Sequence, residues 1–115
     1  MRPITVTVSD ASGGAKSSDL IRFDDWAPAP VSIQVNVTGT VNYTIQTSMD
    51  DPNSATNPVA LASMTWLSSL DTNVVGASAS KSSYFNQAPV FARVLLNSGN
   101  GSVTATFLQL SNGPI

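Results

Sequence analysis

From residue 31 to residue 47 apolar and polar side chains take turns almost without error. Val31, Ile33, Val35 and Val37 fall on one side, with Ser32, Gln34, Asn36 and Thr38 on the other. Beyond Gly39 the alternation resumes, setting Val41, Tyr43 and Ile45 against Asn42, Thr44 and Gln46. A period of two sends successive side chains to opposite faces of an extended backbone, so each run reads as a strand with one buried and one wet face. The short Thr38-Gly39-Thr40 break between them contains a glycine, which supplies the positive φ of a tight turn. The two runs are therefore expected to form an antiparallel hairpin. Its wet side would carry Gln34, Asn36, Asn42 and Thr44 together.

The same period extends along the chain. Residues 3–9 alternate and predict a first strand, and residues 10–18, with Ser12-Gly13-Gly14, predict a loop. Leu20, Ile21 and Phe23 predict a second strand that ends at Asp24-Asp25-Trp26. Ala27-Pro28-Ala29-Pro30 then forces an extended connection, because proline restricts both itself and its predecessor. Residues 48–58 have loop composition. Residues 59–70 carry two patterns at once, a helical spacing at Ala60, Leu61, Met64 and Leu67 and an alternation at Met64 and Trp66. They are read as irregular with a short strand near 64–66. A short strand is expected over 74–79 and a loop bearing Tyr84 and Phe85 over 80–87. Residues 89–97 place Phe91, Arg93 and Leu95 opposite Val90, Ala92, Val94 and Leu96, the pattern of a central strand covered on both faces. After Ser98-Gly99-Asn100-Gly101, residues 102–110 return as the second arm of another hairpin. Short strands at regular spacing predict an all-β fold, an antiparallel β-sandwich or barrel. With 115 residues and no dividing linker the chain reads as one domain, residues 1–18 being a candidate N-terminal arm that orders on a neighbour.

Composition narrows function. The chain has no histidine and no cysteine, and all seven of its acidic residues are aspartate. The commonest general base, the commonest zinc ligand and every thiolate site are thereby excluded. No catalytic residue, cofactor or metal ligand is assigned. Asp50-Asp51-Pro52-Asn53 lacks the spacing of a calcium loop and has the composition of a turn. Five basic residues without a cluster give no track for a phosphate backbone, so no nucleic acid is expected. No apolar run approaches the ~20 residues of a membrane span, and no signal-peptide core opens the chain. Solubility rests on Ser, Thr and Asn, about a third of the residues. That composition suits binding to other protein through wet β faces.

The candidate contact residues are Gln34, Asn36, Asn42 and Thr44 on the polar faces, Arg93 within an apolar strand, and the aromatics Trp26 and Tyr84. Arg93 must be paired or reach solvent along its stem; it reads either as an ion-pair partner of Asp24 or Asp25 or as an interface anchor. Aromatics on the rim of a sandwich stack on sugar rings in carbohydrate-binding modules and, more often, fill cores or anchor protein interfaces.

The runs 32–46, with Asp50-Asp51-Pro52-Asn53, and 88–107 resemble small structural proteins of tailed bacteriophages. The resemblance covers roughly residues 20–110 and rests on general sequence character, without a diagnostic motif. It implies a jelly-roll-like sandwich and a virion component, a capsid cement or decoration protein on the capsid surface, made in the cytoplasm of the bacterial host. The implied partners are the major capsid protein and the chain itself, as a dimer or trimer at capsid symmetry axes. Alternatives are a head–tail connector, tail or fibre component and, from a different class, a carbohydrate-binding module.

Overall fold

The alternation does produce strands, and the way they are joined decides the architecture. The computed structural model describes residues 3–23, 30–86 and 89–109. It contains β1 (Ile4–Ser9), β2 (Lys16–Ser17), β3 (Ile21–Arg22), β4 (Val31–Thr38) and β5 (Asn42–Ser48). These are followed by β6 (Leu67–Ser68), β7 (Val75–Ala77), β8 (Lys81–Phe85), β9 (Phe91–Ser98) and β10 (Ser102–Gln109). Two single turns of 3₁₀ helix, Leu61–Ser63 and Thr72–Val74, are the only helical elements among the described residues. Sheet A has the order β1-β10-β4-β8. Sheet B places β9 beside β5, with β2 and β3 along the free side of β9 and β6 and β7 along that of β5. All these pairings are antiparallel. The two sheets pack as a β-sandwich, as the period predicts.

Neither expected hairpin exists. β4 pairs with β10 and β8, whereas β5 pairs with β9, β6 and β7, so the chain crosses from sheet A to sheet B at Gly39. The Ser98–Ser102 connection likewise carries the chain from β9 in sheet B to β10 in sheet A. Both breaks are arches between sheets. In a hairpin the apolar faces of 31–37 and 41–45 would lie side by side and both await a cover. In an arch they turn to face each other and cover themselves.

The two arches lie against one another. Gly101 N donates to Thr40 O at 2.9 Å, Asp10 N to Gly101 O at 3.1 Å and Ala11 N to Gly99 O at 2.8 Å. Gly99 has φ +101° and Gly39 φ +79°, conformations that L side chains rarely adopt. Space is the second constraint: a Cβ on Gly101 would lie 2.2 Å from Thr38 O, and one on Gly99 2.2 Å from Thr40 O.

Between the sheets lie Val31, Ile33, Val35, Val103, Ala105 and Phe107 from sheet A. Tyr43, Ile45, Ala92, Val94 and Leu96 meet them from sheet B. Phe23, Phe85 and Phe107 form a cluster with ring centroids 6.0–6.5 Å apart, two of the contacts edge-on. Tyr43 is fully buried and satisfies its hydroxyl by donating to Ala79 O at 2.8 Å. β9 is the central strand of sheet B, buried at Ala92, Val94 and Leu96 and covered at Phe91 on its outer side, as read from the sequence.

Other boundaries differ. Residues 80–87 hold a strand, β8, rather than a loop: Ser83 and Phe85 turn inward opposite Ile33 and Val31. The strand expected near 64–66 falls at Leu67–Ser68, behind the 3₁₀ turn. In place of a strand over 74–79, β7 covers Val75–Ala77 and a 3₁₀ turn ends at Val74. Within the candidate arm, residues 4–9 pair with β10 along their length, and Val8 and Ala11 lie in the core. Gly101→Ala is expected to lower unfolding free energy by about 2–4 kcal/mol, because it drives a methyl group into backbone. Gly13→Ala, with open space around it, stays within about 0.5 kcal/mol. Urea unfolding of the two variants checks the contrast.

Candidate interaction surfaces

Because β4 and β5 belong to different sheets, their polar sides point out of opposite faces of the sandwich. Gln34 and Asn36 are exposed on sheet A; Asn42 is half-buried and Thr44 buried on sheet B. The structure does not bring these four residues together.

What sheet A presents is broader than the sequence suggested. Its register sets Thr7, Thr104 and Asn36 in one row across three strands, and Thr5, Thr106, Gln34 and Ser82 in the next across all four. Ser9, Ser102 and Thr38 form a further row, and Leu108, Ser32 and Tyr84 another. Every described residue on this face is uncharged, and Leu108 and Tyr84 alone are not hydroxyl or amide residues of the Ser, Thr, Asn, Gln kind. Neighbouring threonines bond across the strands, Thr5 to Thr106 at 3.0 Å between Oγ1 atoms and Thr7 to Thr104 at 3.1 Å. The threonine phase of 3–9 and 102–109 was readable in the sequence; what joins it to Gln34 and Asn36 is the pairing of β10 between β1 and β4.

Part of the outer face of sheet B is covered by its own chain. Arg93 donates through Nε to Gln46 Oε1 at 2.8 Å, and its guanidinium lies 4.2 Å from the centre of the Trp66 ring. This pairing of a planar cation with an indole face is favourable where water is partly excluded. Arg22 lies over Phe91, 5.3 Å from the ring centre, and forms an ion pair with Asp51 at 3.1 Å. Asp50 accepts from the backbone N–H of Thr65, closing the segment that carries Trp66 back onto β5. Asn97 Nδ2 donates to Asn42 Oδ1 at 2.9 Å and to Thr44 Oγ1 at 3.1 Å. Asn42, Thr44 and Arg93 therefore serve contacts within the chain. Asp24, Asp25 and Trp26 lie outside the described residues, so the expected Arg93 pairings and the Trp26 site fall there too.

At one end of the sandwich a cleft of about 720 Å³ opens between the turn from β6 into the Thr72–Val74 3₁₀ turn and the end of β8. Tyr84, 60% exposed, stands on its rim; Leu70, Met49, Asp71, Asn73 and Asn86 line it. Asp71 accepts from Asn73 N at 3.0 Å and from Ser83 Oγ at 2.7 Å, tying the turn to the edge of sheet A. No three His, Cys, Asp or Glu side chains gather among the described residues, and none of their helices is long and apolar enough to cross a membrane.

The titrating groups act in one direction at each end of the pH scale. The Ser83 hydroxyl and Asn73 N–H hold the Asp71 carboxyl below its ordinary 3.8; Arg22 and Asn53 N–H do so for Asp51, and Ser12 for Asp10. A depressed carboxyl contributes stability above its unfolded value and loses it as pH falls through the folded one. Burial raises the Tyr43 phenol above its ordinary 10.0, so its contribution is complete below that value and lost as pH rises beyond it. With no histidine to titrate between, the melting temperature is expected to stay level from about pH 5 to about pH 9. It should fall below about pH 4 and above about pH 10, which a pH series of thermal melts reads directly.

Comparison of the chain with models of known families, with characterised proteins and with solved structures gave no match.

Proposed function

We propose that the chain is a non-enzymatic structural protein of a virion, a capsid cement or decoration protein that binds the major capsid protein shell. One observation carries the reading most: the outer face of sheet A is a four-strand array dominated by Ser, Thr, Asn and Gln, without a charge among the described residues. Such a face can dock on protein without the desolvation penalty of buried charges, which reaches several kcal/mol per ion. Hydroxyls and amides both donate and accept, so they suit the wet contacts typical of protein interfaces. The sequence resemblance to small phage structural proteins supports the same assignment. So does the nesting of the strand pairs, β1 with β10, β2 and β3 with β9, β4 with β8, and β5 with β6 and β7. That is the pairing of a rolled ribbon, and we assign it to the jelly-roll type.

Shells of the particle that lack this chain, incubated with it and pelleted, test the role. The native chain should co-sediment, and the Q34K/T106K variant, with two charges side by side on the face, should remain in the supernatant while its circular dichroism is unchanged. Undiminished binding by that variant rules the face out. Copy number separates this reading from a connector, tail or fibre component: hundreds per particle fit a capsid coat, a dozen or fewer do not.

The cleft under Tyr84 favours a second reading, a carbohydrate-binding module, in which the exposed ring stacks on a sugar and Asp71, Asn73 and Asn86 meet its hydroxyls. Glycan-array binding that Tyr84→Ala abolishes is the expected result there; an array with no bound glycan removes it.

A further inference from the structure

A sandwich has four edges, and three of those described here are blunted. In sheet B the edge strands are fragments of two or three residues, β2, β3, β6 and β7, with a register shift where β7 meets β5. In sheet A the β8 edge carries Lys81 opposite Val35, which is buried. A lysine on the core-facing side of an edge is a recognised guard against further pairing. The fourth edge, β1, has none of these devices. Ile4–Ser9 is six residues of Ile, Thr, Val and Ser, regular throughout its pairing with β10 and free of charge, proline and glycine. Its apolar side is incompletely covered: Ile4 is 37% exposed and Val6 half-buried, while Val8 is buried.

We propose that β1 is a self-association edge, at which two copies of this chain pair β1 to β1, antiparallel, about a two-fold axis at Val6. Sheet A then becomes one continuous sheet of eight strands. The occupant is a second copy because the strand is complementary to itself. A register that keeps inner side chains inner must pair residues of the same parity, since a slip of one reverses every face. Centring on Val6 does so and sets Ile4 against Val8 and Thr5 against Thr7. Apolar then meets apolar on the core side, and threonine meets threonine on the outer side. Centring on Thr5 shortens the paired stretch, and centring on Thr7 places Ile4 against Asp10. No charge between residues 3 and 9 means that the axis brings no like charges together. A two-fold contact of this kind uses up both edges and closes at the dimer. The outer threonine rows run on unbroken from one copy to the other. The inference stands on the edge alone and is independent of what the face binds.

The register makes the test specific. The full native chain should sediment as a dimer, and T5K/T7K, which sets lysine against lysine across the axis, should be monomeric at the same concentration. T5K/T7E sets opposite charges at those positions and should restore the dimer. Because the chain has no cysteine, V6C offers a second measurement, with residue 6 directly opposite its own copy. Under mild oxidation V6C should form a disulfide-linked dimer, and S82C, on the guarded edge, should not. A native chain that is monomeric at millimolar concentration overturns the proposal. So does a folded T5K/T7E variant as monomeric as T5K/T7K, or V6C cross-linking no faster than S82C. Co-sedimentation of the native chain with shells is read separately from its oligomeric state, so failure here is distinguishable from failure of the capsid reading.

Discussion

The contact of two glycine corners governs this structure. At Gly39 and again at Gly99–Gly101 the chain leaves one sheet for the other, and the two crossings touch through backbone alone. Were either corner to carry side chains there, the arches would separate. β4 and β10 meet at this end through the pairs Thr38–Ser102 and Val37–Val103, so separation would propagate into the longest ladder of sheet A. The corner hydrogen bonds also recruit β1: Asp10 and Ala11, just after it, donate to the carbonyls of Gly101 and Gly99. One end of the sandwich is thus fixed by backbone hydrogen bonds, and the other by the cluster of Phe23, Phe85 and Phe107.

Alternation made most strands legible, down to which side of β4 is buried and that β9 is a central strand. It said nothing about partners. A short break with a glycine is compatible with a tight turn within a sheet or a corner between sheets, because the period of two is satisfied either way. The choice depends on what packs on the corner, and that lies some sixty residues further on at Gly99–Gly101. Misjoining β4 to β5 then misplaced the polar residues, since Asn42 and Thr44 were assigned to a face they do not share with Gln34 and Asn36. β8 escaped notice for a different reason. Only Phe85 among its inward residues is apolar; Ser83 is buried instead by donating its hydroxyl to Asp71. A strand held by a buried hydroxyl has no hydrophobic period to detect. Arg93 was recognisable as an anomaly, but its stacking on Trp66 requires the 49–66 segment to fold back across sheet B, a contact without local signature.

The two outer faces have been treated in opposite ways. On sheet B the chain folds back over part of the outer face, and the two arginines there are occupied by neighbours: Arg22 by Asp51 and Phe91, Arg93 by Gln46 and Trp66. The outer face of sheet A is left bare and carries no charge among the described residues. Solvation of such a face rests on many weak dipoles, each of which exchanges a water hydrogen bond for a protein one at little net gain, ~0.5–1.5 kcal/mol. Affinity then has to come from area and from number of copies, and it should be insensitive to salt because no ion pairs contribute.

Area is where the free edge and the bare face meet. Four strands at ~4.8 Å and seven or so residues at ~3.4 Å give sheet A a footprint of the order of 500 Å². That is less than the ~800 Å² per partner of a standard interface. Pairing β1 with β1 joins two such faces into one plane of about twice the size, with the threonine rows continuous across the axis. An uncharged array enlarged in this way links self-association to docking through Thr5 and Thr7, which lie on the face and also meet their copies across the axis. The β1 backbone supplies the dimer's hydrogen bonds and its threonines meet across the axis, while the outer side chains of β10 and β4 lie away from it.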